Sequence, residues 1–194
     1  MLATSNPAKA REMAALLGGI PFRILYLEDF PGVVLPSEGE ISYADNALGK
    51  ARAVAAATGE MALADDSGIE VDALRGRPGV LSARYGGAGL SDPERCRVML
   101  KEMAGVPTER RGARFRCLIA IVCPQHGRET TMEGVVEGVL VEAPRGGGGF
   151  GYDPIFLYPP LGQSFAEISA EEKNRVSHRA QACLRAREWL LAPP

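Results

Sequence analysis

Leu63-Ala64-Asp65-Asp66-Ser67-Gly68-Ile69-Glu70-Val71-Asp72-Ala73-Leu74 is the stretch on which the reading of this chain turns, because a short apolar run ends in paired carboxylates, a hydroxyl and a glycine. We read it as a strand that delivers acids to its C-terminal edge. Two ionised carboxylates about 4 Å apart repel by roughly 4 kcal/mol at an effective dielectric of about 20, so neighbouring acids call for solvent, a proton or a cation. A divalent metal is the natural occupant. Gly68 can turn the chain at φ > 0, bringing Ser67 and adjacent backbone N–H groups close to a ligand, before Ile69, Val71 and Ala73 resume strand alternation. A plain Asp-Asp-Ser-Gly turn between two strands fits the same residues equally well.

Composition narrows the classes. The chain has 194 residues, 46% of them apolar, and a net charge of −2. That length suits one domain over residues 1–194, or two lobes around one sheet, with an ample core. The charge balance argues against a nucleic-acid-coating protein. Of the 22 basic residues 18 are Arg, which favours bidentate contacts to small anions. Cys96, Cys117, Cys123 and Cys183 lack C-x-x-C spacing and only two His are present, so a zinc site or disulfide framework has poor support. No apolar run reaches bilayer length and no signal-peptide pattern opens the chain, so the expectation is a cytoplasmic protein with no membrane partner.

The remaining segments assemble around the acids. Met1 to Ala3 reads as a strand stub leading into Thr4-Ser5-Asn6-Pro7-Ala8-Lys9, with Asn6 as N-cap and Pro7 in the first turn of a helix running to about Leu17. A helix N-terminus with free N–H groups and a Lys beside it suits a phosphate, although ordinary capping explains Thr4 and Asn6 as well. Arg23 to Leu27 reads as a second strand, followed by a loop carrying Glu38. Ser42 with Asp45 resembles a capping box for a helix that Gly59 stops, and Lys50 lies off its apolar stripe. Arg75 to Gly87 predicts a mobile Gly- and Arg-rich loop. Ser91 with Glu94 opens a helix to about Ala104, and Ala113 to Cys123 with Arg128 to Val141 form a long hairpin.

Arg145 to Pro154 contains G-x-G-x-x-G in form, but Asp153-Pro154 and an extended Ile155-Phe156-Leu157 follow where a dinucleotide fingerprint needs a helix. The aromatic and carboxylate here, Phe150 and Asp153 with Gly151 and Tyr152 between them, suit a base-stacking surface with an acceptor; rings packed inward fit the segment equally well. Ser169 to Glu172 cap the last helical region. Lys173 and His178 would not share a face of one continuous helix, whereas a break near Ser177 would let Lys173 converge with His178 and Arg179 on one ligand.

Taken together, Thr4 to Lys9, Glu38 with Ala44-Asp45-Asn46-Ala47 and Lys50, Leu63 to Gly68, Gly79 to Gly86, Gly149 to Pro154, and Glu172-Lys173 with Ser177-His178-Arg179 resemble the inosine/xanthosine triphosphate pyrophosphatases. Asp45 departs from the family's usual Glu. The resemblance implies an α/β fold with an elongated mixed β-sheet and flanking helices, two lobes around a central substrate cleft, and a homodimer. It also implies hydrolysis of non-standard purine nucleoside triphosphates (ITP, dITP, XTP) to monophosphate and pyrophosphate. The alternatives are a Maf-like pyrophosphatase acting on pyrimidine or modified nucleotides, and a non-hydrolytic nucleotide sensor.

For that reaction Glu38 and Asp66 offer oxygen ligands to Mg²⁺, with Mn²⁺ able to substitute, and Asp66 would orient or deprotonate the attacking water. Asp65, pointing to the opposite strand face, would act from outside the coordination sphere. Thr4, Asn6, Lys9 and Lys50 would hold the triphosphate, and Ser5, Pro7, Ala8, Ser67, Phe150, Gly151, Tyr152, Asp153, Lys173, His178 and Arg179 complete the substrate-binding residues.

Overall fold

The computed structural model describes residues 1–192. Its contacts divide the chain into two compact units, the first made of Met1–Asp66, Cys117–Gly134 and the segment from His178 onward, the second of Ser67–Arg116 and Val135–Ser177.

Local chemistry sets most element ends. Helix α1 (Pro7–Leu16) starts where the Asn6 side chain accepts from the Ala8 and Lys9 N–H groups, with Pro at its first position. Helix α2 (Tyr43–Thr58) is capped by Ser42, whose hydroxyl accepts from the Asp45 N–H, and it stops at Gly59 in the left-handed region. Helices α3 (Asp92–Glu102) and α4 (Ala170–Val176) each open with a complete capping box, Ser91 with Glu94 and Ser169 with Glu172. Ser177 is extended, so α4 ends there and α5 (His178–Leu191) begins anew. The break expected near Ser177 is present.

Strands β1 (Ala62–Val71), β2 (Gly112–Cys123), β3 (Arg128–Leu140), β4 (Phe156–Tyr158) and β5 (Gln163–Ser164) form a curled antiparallel sheet in sequence order. Val139 pairs with Leu157, and Leu157 with Ser164. The parallel component is confined to single bridges from Leu2 to Tyr26 and to Leu63. The expected strand at Arg23–Leu27 therefore shrinks to one bridge, because the chain turns at once into a 3₁₀ segment, Leu27–Asp29, with the Asp29 carboxylate accepting from the Tyr26 N–H at 3.1 Å. The acidic stretch also differs from its reading as a strand edge. β1 runs straight through Asp65, Asp66, Ser67 and Gly68, so Gly68 sits in mid-strand and the acids lie in the middle of the element. The Arg75–Gly87 segment is held in 3₁₀ structure over Gly79–Arg84, where the buried Ser82 hydroxyl accepts from the Ile69 N–H at 2.8 Å.

Each unit has its own core. In the second, Phe115, Phe156 and Phe165 pack with ring centroids 4.5, 5.0 and 5.9 Å apart beside Ile69, Met99 and Ile155. Arg111 is buried there, and its guanidinium donates to the carbonyls of Met103, Val106, Leu140 and Val141, tying the end of α3 to β3. In the first unit, Leu2, Met13, Ile119, Ile121 and Cys183 form one cluster, and Ala3, Ala47, Ala51, Val54 and Ala120 another. The small residues of α2 let that helix approach the strands closely. Among the described residues no helix is long and apolar enough to cross a membrane.

One glycine decides where α5 lies. A Cβ on Gly134 of β3 would stand 2.0 Å from the His178 carbonyl oxygen and 2.7 Å from the Ala182 nitrogen. Backbone cannot yield as a flexible side chain can. Gly134→Ala is expected to destabilise the protein by about 2–4 kcal/mol in chemical denaturation. Gly49→Ala, where a Cβ in α2 meets nothing within 4 Å, is expected to be neutral or to stabilise by up to about 1 kcal/mol. Equal midpoints for the two variants would contradict this packing account.

Candidate active site

Two clusters of buried polar groups stand out, one in each unit. In the first unit the adjacent acids of β1 point to opposite faces and find different partners. Asp65 is fully buried; its Oδ2 lies 2.9 Å from Lys9 Nζ of α1 and 3.4 Å from Arg179 Nη2 of α5. Arg179 Nη1 in turn donates to Glu12 of α1 at 2.5 Å. Burial alone would raise the pKa of Asp65, but Lys9, Arg179 and Lys50 together outweigh it and hold the carboxyl well below the usual carboxylate range. Asp65 is thus a fixed negative charge. Lys9 and Glu12 are three apart on α1 and both face this network.

Asp66, 3% exposed, takes the other direction. The Asn46 amide donates to its Oδ2 at 2.8 Å. Burial pushes its pKa up and the nearby Glu38 charge adds to that, while Lys50 and the Asn46 bond oppose it, and the balance stays above the ordinary value. An ionised Asp66 in this place is therefore destabilising above that raised pKa, and the penalty is relieved as pH falls through it or when positive charge arrives. Lys50 Nζ lies 2.5 Å from Glu38 Oε1, and the lysine is 5% exposed. Its pKa is raised: burial lowers it, but the charges of Asp65, Glu38 and Asp66 more than compensate. Lys50, off the apolar stripe of α2, is thus buried against acids on a helix face shared with Asn46.

Thr4, Ser5 and Asn6 form the turn before α1. Thr4 Oγ1 accepts from the Asn6 N–H at 3.2 Å, and Asn6 Oδ1 takes the N–H groups of Ala8 and Lys9 at 2.9 and 3.2 Å. The cap therefore occupies two amides that the bare helix-terminus reading left for an anion. The exposed Ser5, Asn6 and Pro7 and the Lys9 ammonium border the turn.

The second unit holds Asp153, 2% exposed. Its Oδ2 accepts from the Phe150 N–H at 2.9 Å and from Lys173 Nζ at 2.5 Å. Gly149 and Gly151 adopt φ of 68° and 62°, and a Cβ on Gly149 would stand 2.1 Å from the Asp153 carboxylate, so glycine is required for this turn. Lys173 Nζ lies 4.7 Å from the Phe150 ring centroid. The Gly151 N–H donates to Asp92 at 2.7 Å and Cys96 Sγ donates to the Gly151 carbonyl at 3.3 Å, so α3 anchors the loop from below. Tyr152 takes the inward-packed alternative: its ring is in the core and its hydroxyl donates to the Ser82 carbonyl at 2.8 Å. Phe150 remains half-buried, as does Ser67 of β1, while His178 and Arg179 are buried in the first turn of α5.

Asn46 was read only as part of a motif, with no role given to its side chain, and Glu12, Asp92 and Arg111 were not singled out from the sequence. Helical spacing is the signal for two of them: Asn46 lies four before Lys50 on α2, and Glu12 three after Lys9 on α1. Nothing local points to Asp92 or Arg111, whose partners are distant in sequence.

As for a metal, no group of three or more His, Cys, Asp or Glu side chains stands ready to hold an ion among the described residues. An all-protein cage is thereby absent from those residues. Two carboxylates, Glu38 and the raised Asp66, fit a hard cation that keeps waters and takes the rest of its oxygens from a phosphate chain.

The profile of the Ham1 family matches residues 1–189. A dITP/XTP pyrophosphatase from Symbiobacterium thermophilum is 52% identical over 193 residues, covering 99% of this chain and 94% of that protein. A protein of the same name from Desulforamulus reducens is 48% identical over 190 residues, covering 98% and 94%. Among solved structures, a HAM1 protein from Coxiella burnetii is similar with a TM-score of 0.86 at 38% identity, covering 97% of this chain and 96% of the other. Matched over nearly its whole length in both sequence and fold, the chain belongs to the Ham1 family.

Proposed function

We propose that this chain is a pyrophosphohydrolase that cleaves ITP, dITP and XTP to the nucleoside monophosphate and pyrophosphate. The observation that carries the reading is the first unit's cluster, where Asp66 sits buried with a raised pKa among Glu38, Lys50 and Asn46, and Lys9 is held by the fixed charge of Asp65. Relatives 45–52% identical that are named dITP/XTP pyrophosphatase support the substrate class.

In this reading Glu38 and Asp66 are the protein ligands for Mg²⁺, or for Mn²⁺ with its similar oxygen preference. When bound, the ion supplies charge neutralisation to the phosphate chain. The protein's own groups do the rest. Asp66 orients the attacking water and takes its proton as the bond to phosphorus forms and the bond to the departing pyrophosphate breaks. Lys9 and Lys50 neutralise the charge that develops on the leaving pyrophosphate, and Thr4, Ser5 and Asn6, with the Pro7–Ala8 turn, border it. A lysine already held by a carboxylate needs little reorganisation to do this.

In the second unit Phe150 supplies a stacking face and Lys173 a buried donor above it. Ser67 adds a hydroxyl in the second unit, and His178 and Arg179 add donors in the first. Donors suit the 6-oxygen of hypoxanthine and xanthine and oppose the 6-amino group of adenine. A homodimer in the cytoplasm completes the proposal. The free state of all four cysteines supports a reducing compartment, and light scattering of the purified protein tests the dimer.

The test is product analysis with ITP, XTP, dUTP, UTP and ATP. Pyrophosphate release from ITP and XTP is expected to exceed that from ATP by about 10³-fold or more in kcat/KM, since mismatched buried donors discriminate strongly; a pyrimidine preference, or no turnover, would refute the proposal. Asp66→Asn, nearly isosteric, is expected to lower kcat by about 10³-fold or more with the fold intact by circular dichroism. Retention of a tenth of the activity would remove Asp66 from its role. Metal-stripped enzyme in EDTA is expected to be inactive and to recover with Mg²⁺ or Mn²⁺, and full turnover in EDTA would eliminate the metal.

A further inference from the structure

Asn46 is 6% exposed and its amide makes three hydrogen bonds. Nδ2 donates to Asp66 Oδ2 at 2.8 Å and to the Gly39 carbonyl at 3.3 Å, and Oδ1 accepts from the Gly39 N–H at 2.8 Å. One side chain thereby closes a ring with both polar groups of a single peptide residue and still reaches a carboxylate on β1. Gly39 directly follows Glu38 in a loop without regular structure. From these contacts we infer that Asn46 is a positioning residue that fixes the Asp66 carboxylate and the Glu38 loop relative to one another, and so sets the affinity for the divalent cation. The inference rests on the reading of Glu38 and Asp66 as its ligands.

The chemistry requires an amide. Only a primary amide offers a planar donor and acceptor side by side, the pair that the Gly39 N–H and carbonyl demand. The Gly39 N–H also settles which way round the group lies, since a flipped amide would set oxygen against the Asp66 carboxylate and N–H against N–H. A carboxylate at position 46 would keep the bond to the Gly39 N–H but put charge against charge at Asp66. An aliphatic group would remove the donor that the buried Asp66 and the Gly39 carbonyl receive, and the acceptor that the Gly39 N–H uses.

Position on α2 adds to the case. Asn46 and Lys50 are four apart on one face, and Lys50 holds the Glu38 carboxylate at 2.5 Å. Helix α2 therefore grips Glu38 by its side chain through Lys50 and by the following backbone through Asn46. Residues that orient metal ligands from outside the coordination sphere typically change metal affinity by about 10- to 100-fold when removed.

The experiment measures Mn²⁺ binding to the nucleotide-free protein by the EPR signal of the unbound ion. It compares wild type with Asn46→Leu, close in volume, and Asn46→Ser, smaller and polar, each checked by thermal unfolding. Both variants are expected to bind Mn²⁺ about 10-fold or more weakly and to need correspondingly more Mg²⁺ for half-maximal turnover, whereas KM for ITP at saturating Mg²⁺ changes by less than about two-fold. A role in packing alone would lower the unfolding temperature without moving the metal constants. If either folded variant binds Mn²⁺ like the wild type, the positioning role is overturned while the metal assignment stands. If the wild type itself binds no Mn²⁺ and turns over fully in EDTA, the metal assignment falls and this inference falls with it.

Discussion

Two adjacent carboxylates buried in the middle of a strand are the constraint on which the first unit depends. An ionised carboxylate removed from water carries a penalty of several kcal/mol unless charges and hydrogen bonds replace its hydration, on the order of what an entire domain has in reserve. The pleat divides the problem, because Asp65 and Asp66 point to opposite faces and cannot share partners on one side. Asp65 draws Lys9 from α1 and Arg179 from α5, and Asp66 draws Asn46 from α2. Three helices are thereby keyed to one dipeptide. The two acids end in opposite electrostatic states, Asp65 held ionised by Lys9, Arg179 and Lys50 and Asp66 pushed toward its proton by burial. A structural charge and a chemically responsive one thus lie side by side.

The second unit solves a smaller version of the same problem at Asp153. This carboxylate is buried, and it is satisfied by a backbone N–H of its own loop and by Lys173 from α4. The loop is shaped by what surrounds it. Gly149 must be glycine because the Asp153 carboxylate fills the place of a side chain, and Gly151 is tied from below by Asp92 and Cys96. Phe150 lies half-buried between these two constrained glycines. Tyr152 ties the loop from within the core, through its bond to the Ser82 carbonyl. A flexible-looking run of glycines is therefore a determined turn.

Buried cations are used in two distinct ways. Lys50, Lys173 and Arg179, with the partly buried Lys9, each sit against at least one carboxylate. Arg111 instead donates to four backbone carbonyls and joins the end of α3 to β3. Its guanidinium suits this because its donors are spread in a rigid plane.

Much of this was legible in the sequence. Helix starts at Asn6, Ser42, Ser91 and Ser169, the stop at Gly59, the break at Ser177 and the long hairpin are local decisions, written in side chains that bond their own backbone within a few residues. The ordered motifs that mark the family are equally local and could be read in line. What only the tertiary structure decided involves partners far apart in the chain. β1 passes straight through the acids because its neighbours cover both faces. Arg23–Leu27 does not become a strand because a side-chain bond at Asp29 competes for the backbone. The glycine of β3 sets the seat of α5, and Asn46, twenty residues before Asp66, becomes its hydrogen-bond donor. Backbone preferences reach only a few residues, whereas the desolvation of a buried charge can be met from anywhere in the chain; so the elements were readable in sequence and the partners of the buried acids were not.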